Sequence, residues 1–221
     1  MIINSTMDEA NERIRKWLEC GDLSRPLDFS FLNISELPRL PSSAKILICY
    51  STGLRNLPQN LPDSLTHLCV SSNNLTSLPP LPSSLQYLSC VSNNLSELPP
   101  LPCSLQGLWC ASNALETLPV LPQSLRVLCC AKNQLRSLPC LPPKLKNLEC
   151  SNNCFTTLPD LPDSLVILEY CNRFECCETL RNQQRQRRVV SRCRQIKEEL
   201  MMERWSPQRV ERLLEAGLLD D

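Results

Sequence analysis

The 221-residue chain carries 23 basic and 23 acidic side chains, a balance that excludes a whole-molecule electrostatic grip on nucleic acid or an anionic membrane and leaves any charged contact local. The length is sufficient to bury a core as one domain. Fifteen cysteines would suit a disulfide framework in a secreted protein. However, the opening MIINSTMDEANERIRKW has no apolar leader, and no stretch approaches the ~20 apolar residues of a membrane span, so the chain reads as soluble and working in a reducing cytosol.

The first element is an amphipathic helix over residues 7–20, with Ile14, Trp17 and Leu18 on one face and Gly21 as its stop. Residues 1–23 form an N-terminal cap for the open end of a repeat array. Residues 65–164 align with themselves in blocks of twenty, each reading L-x-x-L-x-C-x-x-N-x-L-x-x-L-P-x-L-P-x-S, and this self-similarity specifies a solenoid. A diverged copy occupies 24–43, with Leu27, Phe29, Ile34, Leu37 and Pro38. A second copy at 44–64 is one residue longer near Gln59 and Asn60, and a partial copy begins at Leu165. The array therefore spans 24–173 as seven repeats and a partial one.

Within each block, L-x-C alternation is the period of a half-buried strand, so one short parallel strand per repeat builds an inner, concave wall. The leucines at positions 1, 4, 11, 14 and 17, such as Leu85, Leu88, Leu95, Leu98 and Leu101, stack into a continuous core. Asn73, Asn93, Asn113, Asn133 and Asn153 recur where the chain leaves the strand, where an inward amide can satisfy backbone groups freed by the bend. The L-P-x-L-P half is too short and too rich in proline for a helix, and reads as an extended, polyproline-like convex side. The expected fold class is an α/β leucine-rich-repeat solenoid with helical caps at both ends.

On these residues, the segment from Ser24 to Arg173 resembles the bacterial effector type of leucine-rich repeat found in the invasion-plasmid-antigen H and Yop M families, for which L-P-x-L-P-x-S-L-x-x-L is a specific signature. The resemblance implies a protein-binding platform acting as an effector or adaptor in a host cytosol. In the ubiquitin-ligase members it also implies a separate C-terminal domain with a catalytic Cys-x-Asp motif. The only such match here, Cys20-Gly21-Asp22, precedes the array and reads as coincidence, so the expectation is the repeats without the ligase.

After Arg173 the pattern changes to a charged run, and residues 174–221 read as a C-terminal helical cap or tail. Leu180, Val189, Cys193, Ile196 and Leu200 fall near helical spacing, and Ser206-Pro207 starts a second short helix ending at Gly217. Its arginines, including Arg181, Arg185 and Arg188, mix with Glu198, Glu199 and Glu203, which reads as a solvated helix face and makes nucleic-acid binding an unfavoured reading.

Strand alternation turns positions 3, 5 and 7 of each repeat outward onto the concave wall and positions 4 and 6 into the core. The partner-binding residues expected from this rule are Ile46, Ile48, Tyr50, His67, Tyr87, Val91, Trp109, Val127, Glu149 and Glu169. The wall is apolar and aromatic first and acidic last, with Tyr50, Tyr87 and Trp109 as leading anchors and a shallow pocket beside the indole at Gly107.

The thiol column of Cys49, Cys90, Cys110, Cys130 and Cys150, interrupted by Val70, reads as core packing. A second group, Cys154, Cys171, Cys176, Cys177 and Cys193, has poor zinc spacing, with a disulfide or metal staple as its alternative. No nucleophile, base and carboxylate converge in the sequence and no phosphate-binding glycine loop exists. The expectation is a non-enzymatic module without cofactor, metal or small-molecule substrate that binds a protein partner on its concave face. The competing reading makes the C-terminal tail the adaptor and the repeats a spacer.

Overall fold

The computed structural model describes residues 3–170, with side chains from Thr6 onward. The tail helices, the arginine run and Cys171, Cys176, Cys177 and Cys193 lie outside the described residues. One helix is followed by eight short strands: α1 (Ile3–Cys20), β1 (Leu27–Asp28), β2 (Ile46–Ile48), β3 (His67–Cys69), β4 (Tyr87–Ser89), β5 (Gly107–Trp109), β6 (Val127–Cys129), β7 (Asn147–Glu149) and β8 (Ile167–Glu169). They form one sheet in chain order, every pair parallel. The register stacks equivalent positions, so Leu47, Leu68, Leu88, Leu108, Leu128, Leu148 and Leu168 are successive Cα partners. The extra residue at 59–60 is taken up outside the sheet.

Each strand is short because the next turn comes at once. The eighth position of each repeat from 44 to 164 is left-handed, with φ of 53° to 57° at Ser51, Ser72, Ser92, Ser112, Lys132 and Asn152, which ends the extended run and turns the chain across the core. The bend exposes backbone carbonyls, and the ninth-position asparagine meets them. Asn93 donates through Nδ2 to the carbonyls of Val70 (2.9 Å) and Cys90 (3.1 Å) and accepts through Oδ1 from the amide of Leu75 (3.0 Å). Asn113, Asn133 and Asn153 repeat the pattern. Asn73 does the same and also accepts from Thr52, which fills the ninth position of its own repeat.

A second ladder, at the twentieth position, has no role assigned to it by the sequence pattern. The hydroxyls of Ser84, Ser104 and Ser124 each lie 2.6–2.7 Å from two carbonyls, one near the end of the preceding repeat and one at the first residue of their own, and share their proton between them; Ser64 does likewise. In the same segment the amides of Leu65, Leu85, Leu105, Leu125, Leu145 and Leu165 return to the carbonyl of the proline three residues earlier. This P-x-S-L turn feeds the chain into the next strand, and among the described residues no helix forms on the convex side.

The helix α1 begins at Ile3, four residues earlier than its apolar pattern suggests. Its inner stripe is Met7, Ala10, Ile14 and Trp17. Leu18, expected on that face, is 52% exposed, because at 100° per residue the 7-10-14-17 stripe leaves position 18 on its flank. The cap covers polar as well as apolar groups: Arg13 Nη1 donates to the carbonyls of Asp28 (3.1 Å) and Ser30 (3.5 Å), and Trp17 Nε1 to that of Arg25 (2.9 Å). An otherwise open sheet edge is thereby satisfied. Gly21 closes the helix at φ 69°, its amide bonded to the Leu18 carbonyl at 3.2 Å.

Candidate functional site

With positions 4 and 6 of each rung sealed in the core, as at Leu88, Cys90, Leu108 and Cys110, all 0% exposed, positions 3, 5 and 7 line the opposite, concave face. Ile46, Tyr50, His67, Val91, Trp109, Val127, Glu149 and Glu169 are half-buried there, while Ile48 and Tyr87 are buried. The structure thus places all ten expected residues on one face, though they do not all offer the same access.

The aromatic residues are joined into a chain. The His67 imidazole stacks on Tyr87 with centroids 4.6 Å apart at 28°, and Tyr87 is 6.5 Å from Trp109 at 33°. This stacking leaves only 9% of Tyr87 exposed, so Tyr87 is a supporting wall more than an accessible anchor, contrary to the expectation. Its hydroxyl lies 3.3 Å from Gln106 Oε1. The expected pocket at Gly107 is also absent, because the Trp109 indole folds back over the glycine and fills it. A missing side chain next to a flat ring invites the ring to cover exposed backbone.

Beyond Trp109 the wall becomes a shallow apolar basin of small side chains, in which Ala111, Cys129 and Ala131 pack with Val91 and Trp109. On the other side of the stack, Ser71 and Ser89 are buried and share a hydrogen bond of 2.8 Å. One buried polar atom of the wall stands apart. Thr66 Oγ1 spends its proton on the Lys45 carbonyl at 3.0 Å, so at 2.9 Å it accepts from His67 Nδ1, which fixes the proton there. Nε2 is then a buried acceptor with no hydrogen-bond partner among the described residues. Burial lowers the His67 pKa to about 4, so the ring is neutral at pH 7.

At the acidic end, Glu149 and Glu169 are Cα partners in β7 and β8. The Cys129 thiol donates to Glu149 Oε2 at 3.1 Å, and burial together with this carboxylate raises the Cys129 pKa well above its usual value. At the opposite end the structure reveals a residue the sequence pattern passes over. Phe31 is 73% exposed, has φ 64°, and meets Tyr50 edge-on at 5.5 Å and 73°. It occupies the eighth, left-handed position, where the later repeats carry Ser, Lys or Asn. That departure from the pattern is the available signal.

The thiol column is chemically quiet. Cys49, Cys90, Cys110, Cys130 and Cys150 are each 0% exposed, and burial pushes the Cys90 and Cys150 thiols up to about 12. Such thiols are poor nucleophiles and poor metal ligands. Cys20, Cys103, Cys140 and Cys154 are exposed, and Arg25 beside Cys20 lowers that thiol's pKa. No group of three or more His, Cys, Asp or Glu among the described residues could hold a metal. No helix among them is long and apolar enough to cross a membrane.

No family profile matches the chain, but individual proteins do. Over 72 residues it is 43% identical to a probable E3 ubiquitin-protein ligase of Sinorhizobium fredii, covering 32% of this chain and 13% of the ligase. Among solved structures it is similar to YopM from Yersinia enterocolitica, at 42% identity and TM-score 0.62 over 63% of this chain and 31% of that one. The leucine-rich effector YopM from Yersinia pestis matches at 38% identity and TM-score 0.68, covering 72% of this chain and 45% of that one. A Shigella effector leucine-rich-repeat domain matches at 31% identity and TM-score 0.66, covering 79% of this chain and 81% of that domain. The chain therefore spans most of a known effector repeat domain, less than half of either YopM, and about an eighth of the ligase.

Proposed function

We propose that this chain, which belongs to the effector-type twenty-residue leucine-rich-repeat proteins, is a non-enzymatic platform that binds a protein partner on its concave face, as an effector or adaptor in a host cytosol. The observation that carries the reading is the continuous uncharged wall around the His67–Tyr87–Trp109 chain. Stacked rings and small neighbours on a rigid parallel sheet form a preorganised apolar surface, the kind at which aromatic anchors contribute most of the binding energy. Tyr50, Trp109 and Val91 are the accessible contacts, and Phe31 extends the surface past the first rung. Glu149 and Glu169 supply charge at the far rim. The remainder of the wall supports these residues.

The test is the double substitution Tyr50→Ala and Trp109→Ala in the full chain, read by partner capture and by thermal melting. Both side chains are half-buried, so capture should fall at least tenfold with a small change in melting temperature. Tyr87→Ala is the poorer probe because it also removes the support of the His67 ring. Undiminished capture by the double variant, together with loss of capture on removing residues after Arg173, would transfer the function to the tail.

A further inference from the structure

The outward fifth position carries carboxylates at both ends of the wall, Asp28 in β1 and Glu149 and Glu169 in β7 and β8, with an uncharged stretch between them. Over five successive rungs, from Ile46 to Ala131, no outward strand position carries a charge. The next two rungs then place carboxylates at the same position in adjacent strands, Glu149 opposite Glu169. Like charges directly opposite in a sheet repel. On α1, Glu9 pairs with Arg13 and Glu12 with Arg15 and Lys16. Glu149 receives only the thiol of Cys129 among side chains of the described residues, a weak neutral donor that orients the carboxylate without cancelling its charge.

Trp109, Cys129, Glu149 and Glu169 are successive Cα partners, so at about 4.8 Å per strand the two carboxylates stand roughly 10 and 14 Å from the indole's rung. Between the indole and the carboxylates lie the small side chains of Ala111, Cys129 and Ala131. We propose that the partner's docking segment carries an apolar anchor seated at Trp109 and Val91 and a lysine or arginine about 10–14 Å further along, received by Glu149 and Glu169. The proposal rests on the concave-face reading above. Charge complementarity of this kind sets the orientation of the segment and its rate of encounter more than its total affinity.

The test uses the full chain as bait for a phage-displayed library of random peptides of about twelve residues. Enriched sequences are resynthesised with a fluorophore, and their polarisation is measured against wild type, the double variant E149Q/E169Q and W109A. Glutamine keeps the shape of glutamate and can still accept from Cys129. The expected result is a consensus that joins an aromatic or aliphatic residue to Lys or Arg. Its affinity should fall about tenfold on E149Q/E169Q and decline with added salt, and exchanging the peptide's basic residue for Gln should abolish its sensitivity to E149Q/E169Q. An enriched set without basic residues, an empty selection, or peptides indifferent to E149Q/E169Q overturns the proposal. Peptides of that kind that still lose affinity on W109A leave the concave-face reading standing, whereas peptides indifferent to both changes remove it as well.

Discussion

The Trp109 indole lies over the backbone of Gly107, two residues earlier on the same strand. A Cβ at Gly107 would stand 2.5 Å from Cζ3 and Cη2 of the ring and 3.1 Å from Cδ1 of Tyr87. Contacts this short cannot be absorbed by a rigid ring without displacing it. Gly107→Ala should therefore swing the indole off its seat, lowering stability by about 1–3 kcal/mol and changing the near-ultraviolet circular dichroism. In a Trp109→Ala background the same change should cost under about 1 kcal/mol, because only the Tyr87 contact remains. Additive effects in this double-mutant cycle would mean that the ring does not rest on Gly107.

The asparagine and serine ladders should differ in energy by their burial. Asn93→Ala strands a buried amide and two carbonyls and should cost about 2–4 kcal/mol in urea denaturation. Ser104→Ala removes bonds near the surface and should cost about 0.5–1.5 kcal/mol. Asn93→Thr, imitating Thr52, should recover part of the loss. Equal costs for Asn93→Ala and Ser104→Ala would contradict this ranking.

Phe31 combines a left-handed backbone with a large exposed side chain. A bulky residue at positive φ costs about 1–2 kcal/mol, only partly offset by one edge-on contact with Tyr50. Phe31→Asn should therefore leave the melting temperature unchanged or raise it by a few degrees, while weakening partner capture. A clear drop in melting temperature would show that Phe31 serves the fold.

The neutral His67 ring gives the protein a specific acid sensitivity. Its folded pKa of about 4 lies below the unfolded value near 6.5, so between these pH values the unfolded chain binds more protons. Stability is then full above about pH 6.5 and is lost as pH falls toward 4. His67→Phe keeps the stack on Tyr87 and removes the titration. Comparing urea midpoints of the two proteins at pH 7 and pH 4.5 should show wild type losing about 1–2 kcal/mol more, a figure discounted because the ring is partly exposed. Parallel losses would mean that the imidazole is as well solvated in the folded state as in the unfolded one.

Twenty-residue periodicity makes the array legible, since one rung cannot bury its leucines alone and every rung repeats the same solution. Strand alternation then separates wall from core correctly at every rung from Ile46 to Glu169. What the pattern cannot carry is side-chain reach. Outward position alone does not reveal that Tyr87 is walled in by its neighbours, or that Trp109 bends back over Gly107, because both depend on packing between rungs. Phe31 is hidden for a related reason: the eighth position reads as a turn, and a turn residue is not weighed as a contact. Leu18 departs from its expected face because it falls on the flank of the Met7, Ala10, Ile14 and Trp17 stripe.

Photocrosslinking tests most directly whether the concave wall holds the partner. The reactive residue p-benzoylphenylalanine is placed at Val91 on the concave face or at Val120, which is 85% exposed on the convex side. The expected result is a discrete partner adduct from Val91 and none from Val120. An adduct from Val120 equal to or stronger than that from Val91 would contradict concave-face binding.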